Sequence, residues 1–165
     1  MVTFNNQKVK IEGLIKKTGD KAPNFKALKG DFSEFHLDEC KDEYIFLNIV
    51  PSLDTNVCDL QTKKIFEEFA KYPNIKIITI SNDLPTAQSR WCQQISLPQN
   101  SIVLSDYKEL DFAKKYGVLI SDFRLLLRSF FLLDKNRKII YLEYASEITQ
   151  PLDYDKIFNF IKNIQ

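Results

Sequence analysis

Residues 44–50 read YIFLNIV and residues 51–58 read PSLDTNVC, followed by DLQTKKIFEEFAKY at 59–72. A nearly unbroken apolar run that stops on proline reads as a strand buried on both faces, because proline cannot continue a sheet ladder. The segment after it has apolar residues three and four apart, the spacing of one helix face. A buried strand, a short loop and a helix make the first half of a parallel βαβ unit.

The same alternation continues toward the carboxyl terminus. After a helix over about 57–72 come the strand IKIITIS, a helix over about 85–94, the strand SIVL and a helical turn around 109–116. Crossover helices of this length imply parallel strands, whereas the three residues KNR between SFFLLD and KIIYLEY imply an antiparallel hairpin. Tyr154, Ile157, Phe158, Ile161 and Ile164 form one apolar stripe, so the last helix packs on the sheet as core. Before the decisive stretch, FKAL and EFHL read as short strands, and VTFNNQKVKIEG reads as an amino-terminal hairpin turning at Asn5 and Asn6. The class is α/β: a mixed sheet with helices on both faces.

The chain has 165 residues, 44% apolar, with 23 Lys plus Arg against 22 Asp plus Glu. That is the size of one domain, here 1–165, and no repeat, low-complexity tract or long linker divides it. No basic block suggests nucleic acid or an anionic membrane as partner. The amino terminus lacks the apolar core of a signal peptide and no run is long enough to span a bilayer, so the expected location is cytoplasmic. Three cysteines and one histidine argue against a disulfide framework and against the usual zinc sites.

That leaves the thiols themselves. With a helix starting near Thr55, the Thr55 hydroxyl is placed to accept from the Cys58 amide as an N-cap. The Cys58 sulfur then lies in the first helical turn, where the macrodipole and free N–H groups favour a thiolate. Cys58, Thr62, Ile65, Phe66 and Phe69 share one face, so the sulfur points into the protein. By itself TxxC reads equally well as a buried, inert cysteine. A second cysteine in a similar setting, Cys92 of DLPTAQSRWC, where Asp83 and Pro85 suggest a helix start, makes a reversible disulfide a better explanation than a metal pair.

PSLDTNVC and SNDLPTAQSRWC together resemble the two signature segments of the bacterial thiol peroxidases, the atypical two-cysteine branch of the peroxiredoxins. The likeness runs from the amino-terminal hairpin through LRSFFLLDKN to EITQPLDYD. It implies a thioredoxin-like fold and a thiol-dependent peroxidase acting on hydrogen peroxide and organic hydroperoxides. Cys58 would be the peroxidatic nucleophile, Cys92 the resolving thiol of an intramolecular disulfide, and thioredoxin the reductant. Pro51 would shield the sulfur, Thr55 would hydrogen-bond the thiolate and the peroxide, and Arg128 would face the developing charge. The resemblance also implies a homodimer and needs no metal, haem or flavin. A thiol-disulfide oxidoreductase or a redox-sensing module of the same fold would keep both cysteines.

Some residues stand outside this pattern. Leu125, Leu126 and Leu127 replace a more glycine-containing loop and read first as core, then as a dimer contact or a surface for bulky hydroperoxides. Arg124 is not expected to be catalytic. Cys40 is given no role, His36 reads as a solvent-facing strand residue, and Trp91 as the residue that packs its helix on the domain.

Overall fold

The computed structural model describes residues 1–165. β1 (Thr3–Phe4) pairs antiparallel with β2 (Gln7–Lys8) across Asn5 and Asn6, whose φ angles are 50° and 63°. Two left-handed residues make the turn that suits strand twist, and asparagine tolerates that conformation. The hairpin is shorter than the sequence suggests. Ile11 belongs instead to β3 (Ile11–Glu12), which pairs with β9 (Leu119–Ile120), itself joined to β10 (Leu125–Leu126). Leu126 and Leu127 are buried, the first of the readings for that stretch.

The main sheet contains β4 (Lys26–Leu28), β5 (Glu34–His36), β6 (Tyr44–Ile49), β7 (Ile75–Ser81), β8 (Ser101–Ser105), β11 (Ser129–Leu133) and β12 (Ile139–Tyr144). Their order is β12-β11-β6-β7-β8-β4-β5. β6, β7 and β8 run parallel, and the remaining pairings are antiparallel, including the β11–β12 hairpin. α1 (Asn56–Phe69) and α2 (Pro85–Cys92) make the two crossovers. α1 stops short of Tyr72 because Pro73 disfavours a helical residue before it.

Side-chain alternation assigns the faces. On β11, Phe130 lies 5.3 Å from Phe46 and 6.2 Å from Tyr154 of α4 (Tyr154–Ile164), centroid to centroid. Its neighbour Phe131 points the other way, 5.3 Å from Tyr116 of α3 (Asp111–Tyr116). Phe46 and Phe158 both pack on Phe69, so α1 and α4 share one face and α3 covers the other. The apolar interior is one cluster of 41 buried residues. No helix is long and apolar enough to cross a membrane.

Candidate active site

Register brings Arg128 to Cys58. In the antiparallel β6–β11 pair, Ile49 lies opposite Ser129, so the residues leaving β6 run beside those entering β11. The 51–55 loop then turns back into α1 at the carboxyl ends of the parallel strands, where α/β sheets build their sites. Cys58 is 1% exposed and shares the buried face of α1 with Thr62, Ile65, Phe66 and Phe69, as the helical phase predicts, and also with Gln61.

Arg128 is 2% exposed. Its Nη2 donates to Cys58 Sγ at 3.3 Å, Nη1 to Gln61 Oε1 at 2.8 Å and Nε to the Ile148 carbonyl at 3.1 Å. The guanidinium forms no ion pair with any carboxylate; the basic partners in the protein's ion pairs are other residues. An arginine is rarely buried without a counter-charge, and the idle charge costs several kcal/mol. The Cys58 sulfur is the group within reach that can carry a negative charge opposite this guanidinium. The surface ion-pair fate common for arginines does not apply here.

Gln61 escaped the sequence reading. Its Nε2 donates to Asn48 Oδ1 at 2.7 Å, while Asn48 Nδ2 donates to Thr62 and Thr79 at 3.1 and 3.2 Å. This wholly buried network on β6, α1 and β7 fixes the glutamine oxygen that holds Arg128. The signal was present: a glutamine three residues after Cys58 sits beside Thr62 on the inward face of the helix.

Thr55 occupies the N-cap position but does not cap. Its hydroxyl donates to the Ser52 carbonyl at 3.0 Å, and the side chain accepts nothing from the Cys58 amide. The tight 52–55 turn puts a carbonyl within closer reach than the helix amides. The side chain is exposed, with both oxygen lone pairs uncommitted. The amides of Asn56, Val57 and Cys58 accordingly have no acceptor in the protein. Pro51 is buried.

Asp83 also differs from its expected role. Pro85 does open α2, but Leu84 is the capping position and makes no side-chain cap. The Asp83 carboxylate accepts instead from Ser52 Oγ at 2.7 Å, the Leu53 amide at 2.8 Å and Ser81 Oγ at 2.7 Å, bracing the active-site loop from β7.

Cys40, Cys58 and Cys92 are all unpaired. Cys92 ends α2, half-buried, and burial pushes its thiol up. Cys40 is pushed up by burial and by the Asp42 charge, and it sits away from the site near Arg137, which donates to its carbonyl. His36 pairs with Glu34 at the sheet edge. Trp91 links α2 to α1, its Nε1 donating to Asp59 Oδ1 at 2.8 Å. Tyr154, read as core alone, reaches the site with its hydroxyl: that atom is buried without a hydrogen-bond partner. Burial raises it, opposed by the Arg128 charge and reinforced by Cys58. Arg124 is exposed.

The chain is similar to known proteins over nearly its whole length. The chain is 43% identical over 160 residues to the thiol peroxidase of Oceanobacillus iheyensis, covering 97% of each chain. It is 41% identical to the Bacillus subtilis thiol peroxidase, covering 94% of this chain and 92% of that one. Among solved structures, a peroxiredoxin-like protein from Aquifex aeolicus superposes with a TM-score of 0.90 at 35% identity, covering 99% and 96% of the two chains. A thiol peroxidase from Chromobacterium violaceum shares the fold, with a TM-score of 0.88 at 22% identity over 98% and 95% of the chains. The fold is thioredoxin-like. With the Redoxin family model matching residues 17–158 as well, the chain belongs to the Redoxin family.

Proposed function

We propose that this protein is a peroxiredoxin-type thiol peroxidase in which Cys58 reduces hydrogen peroxide and organic hydroperoxides. The observation that carries the reading is the buried Arg128, which has no carboxylate partner and donates from Nη2 to the Cys58 sulfur at 3.3 Å. The Cys58 thiolate attacks the nearer peroxide oxygen and the O–O bond breaks. Cys58 becomes a sulfenic acid, and the departing alkoxide or hydroxide takes a proton and leaves as alcohol or water. A guanidinium stays protonated throughout and needs no reorganisation to face that charge. The unbonded amides of the first turn of α1 add donors at the same place. Thr55, its proton spent on Ser52, keeps lone pairs to accept the peroxide hydrogen. Pro51 keeps water from the sulfur.

Cys92 then condenses with the sulfenic acid, releasing water and forming an intramolecular disulfide. Thioredoxin returns the pair to dithiols by exchange. The 165 residues act as one domain, and three unpaired cysteines suit a reducing cytoplasm. A homodimer is part of the same reading, and the exposed side chains of Leu84 and Phe123 supply apolar surface for it.

The test is mass spectrometry of the reduced protein after one equivalent of peroxide. A Cys58–Cys92 disulfide is expected, with Cys58→Ser inert and Cys92→Ser stalled as a sulfenic acid after one turnover. Sustained cycling of Cys92→Ser with thioredoxin overturns the resolving assignment. A disulfide formed from oxidised thioredoxin but not from peroxide points to a thiol-disulfide oxidoreductase instead.

A further inference from the structure

α2 is anchored at its start and lightly held at its end. Pro85 and Gln88 are its buried residues, and Gln88 Nε2 donates to Ser81 Oγ at 2.9 Å and to the Leu104 carbonyl at 2.7 Å. The last turn, ending at Cys92, is tied to α1 through Trp91. The indole Nε1 donates to Asp59 Oδ1 at 2.8 Å, and the ring lies 6.2 Å from that of Phe66. The second carboxylate oxygen of Asp59 accepts from Lys63 at 2.8 Å, so the group is held from both sides. Asp59 directly follows Cys58, and Trp91 directly precedes Cys92. One hydrogen bond therefore joins the immediate neighbours of the two thiols.

A disulfide needs its α-carbons roughly 4.4–6.8 Å apart, with sulfurs facing each other. Here the Cys58 sulfur faces Arg128 and the sheet, sealed at 1% exposure, while Cys92 sits half-buried on a different helix. Joining them requires the first turn of α1 or the last turn of α2 to unwind. Either motion displaces one partner of the Asp59–Trp91 bond. A cleft of about 300 Å³ lies between the two segments, with Ser52, Leu53 and Asp54 on one side and Ala87, Arg90 and Trp91 on the other. It offers room for the unwound chain.

We infer that the Asp59–Trp91 hydrogen bond is a clasp that holds both cysteine-bearing turns in the dithiol arrangement and sets the rate of disulfide formation. The inference rests on the roles proposed above for Cys58 and Cys92. Asp59 and Trp91 are positioning residues and touch no reacting atom. The step they govern is Cys58–SOH plus Cys92–SH giving Cys58–S–S–Cys92 and water. Its competitor is attack of the Cys58 sulfenate on a second peroxide, which gives a sulfinic acid and reduces that peroxide to water or alcohol. A tight clasp prolongs the sulfenic acid and so favours the competitor.

Trp91→Phe keeps a ring against Phe66 without the N–H, and Asp59→Asn removes the charge without touching the indole. In stopped-flow mixing with peroxide, sulfenic acid formation at Cys58 in both variants should stay within about twofold of wild type, since neither group faces the sulfur. Disulfide formation should accelerate about five- to tenfold, the effect of a charge-assisted bond discounted for partial exposure. Sulfinic acid formed at a given peroxide excess should fall in step. Because the clasp belongs to the dithiol form alone, a tenfold shift lowers the reduction potential of the disulfide by about 30 mV. The double variant should do no more than the better single one. Wild-type resolution rates and potentials in both variants, or slower resolution, overturn the clasp alone. A wild type that forms the sulfenic acid but never the Cys58–Cys92 disulfide overturns the resolving role and the clasp with it.

Discussion

At the scale of single residues, the site rests on the fork of Arg128. Its three nitrogens serve Cys58, Gln61 and Ile148 at once. A lysine keeps the charge but cannot make three divergent bonds from one ammonium. Arg128→Lys should therefore slow sulfenic acid formation by about 10²–10³-fold, the usual cost of losing a preorganised donor. Stopped-flow kinetics beside an unchanged circular dichroism spectrum checks this; a loss under about tenfold says the charge suffices. Cys58 and its inward direction were legible in sequence because helical phase is a local property. Arg128 was singled out only through the family resemblance that LRSFFLLDKN carries, and its partners were not. Gln61, Asn48 and Asp83 act through bonds to strands far away in sequence, and no local pattern reports such contacts. Thr55 shows the converse: the residue type and place of a cap were right, yet a nearer carbonyl took the hydroxyl.

At the scale of elements, the amino-terminal hairpin has only two residue pairs and cannot stand alone. Glu147 holds it, accepting from Thr3 Oγ1 at 2.7 Å and from the Asn5 and Asn6 amides at 3.1 Å each. The Thr3 carbonyl in turn takes the Ile148 amide at 2.9 Å, and the Ile148 carbonyl takes Arg128 Nε. The hairpin thus braces the loop behind Arg128. Hydrogen bonds from Thr3 and Thr149 hold the Glu147 carboxyl down at about 2. A depressed carboxylate stabilises the fold above its ordinary range and ceases to do so as pH falls through about 2. Glu147→Gln should raise amide exchange at Asn5 and Asn6 by about tenfold or more at neutral pH, with the main sheet unaffected. Unchanged exchange would mean the turn geometry alone holds the hairpin. The turn was readable from Asn5-Asn6; its anchor, 141 residues later in the chain, was not.

At the scale of the whole molecule, the alternation of strands and helices was legible because each crossover leaves its own period. The order of the sheet was not, since β4 joins it against β8 and β11 against β6 through pairings that no local pattern encodes. One buried group couples the fold to pH. Asp106 accepts from the Phe112 and Ala113 amides at 3.0 and 2.8 Å, yet burial outweighs those bonds and pushes its carboxyl up to about 7. A raised carboxyl favours the neutral form in the fold. Its stabilisation is complete below the ordinary aspartate range and is lost as pH rises through about 7. The stability difference between wild type and Asp106→Asn in urea should shift by about 2–3 kcal/mol against wild type from pH 5 to pH 8. A pH-independent difference contradicts the assignment. Peroxidase activity requires Cys58 to be a reagent rather than a buried core thiol, and the rate of its first oxidation measures that directly. Mixed with hydrogen peroxide in a stopped-flow instrument, the fully reduced protein should oxidise at Cys58 several orders of magnitude faster than a free thiolate, and Cys58→Ser should lose that phase. Oxidation at the rate of an ordinary thiol would contradict the account.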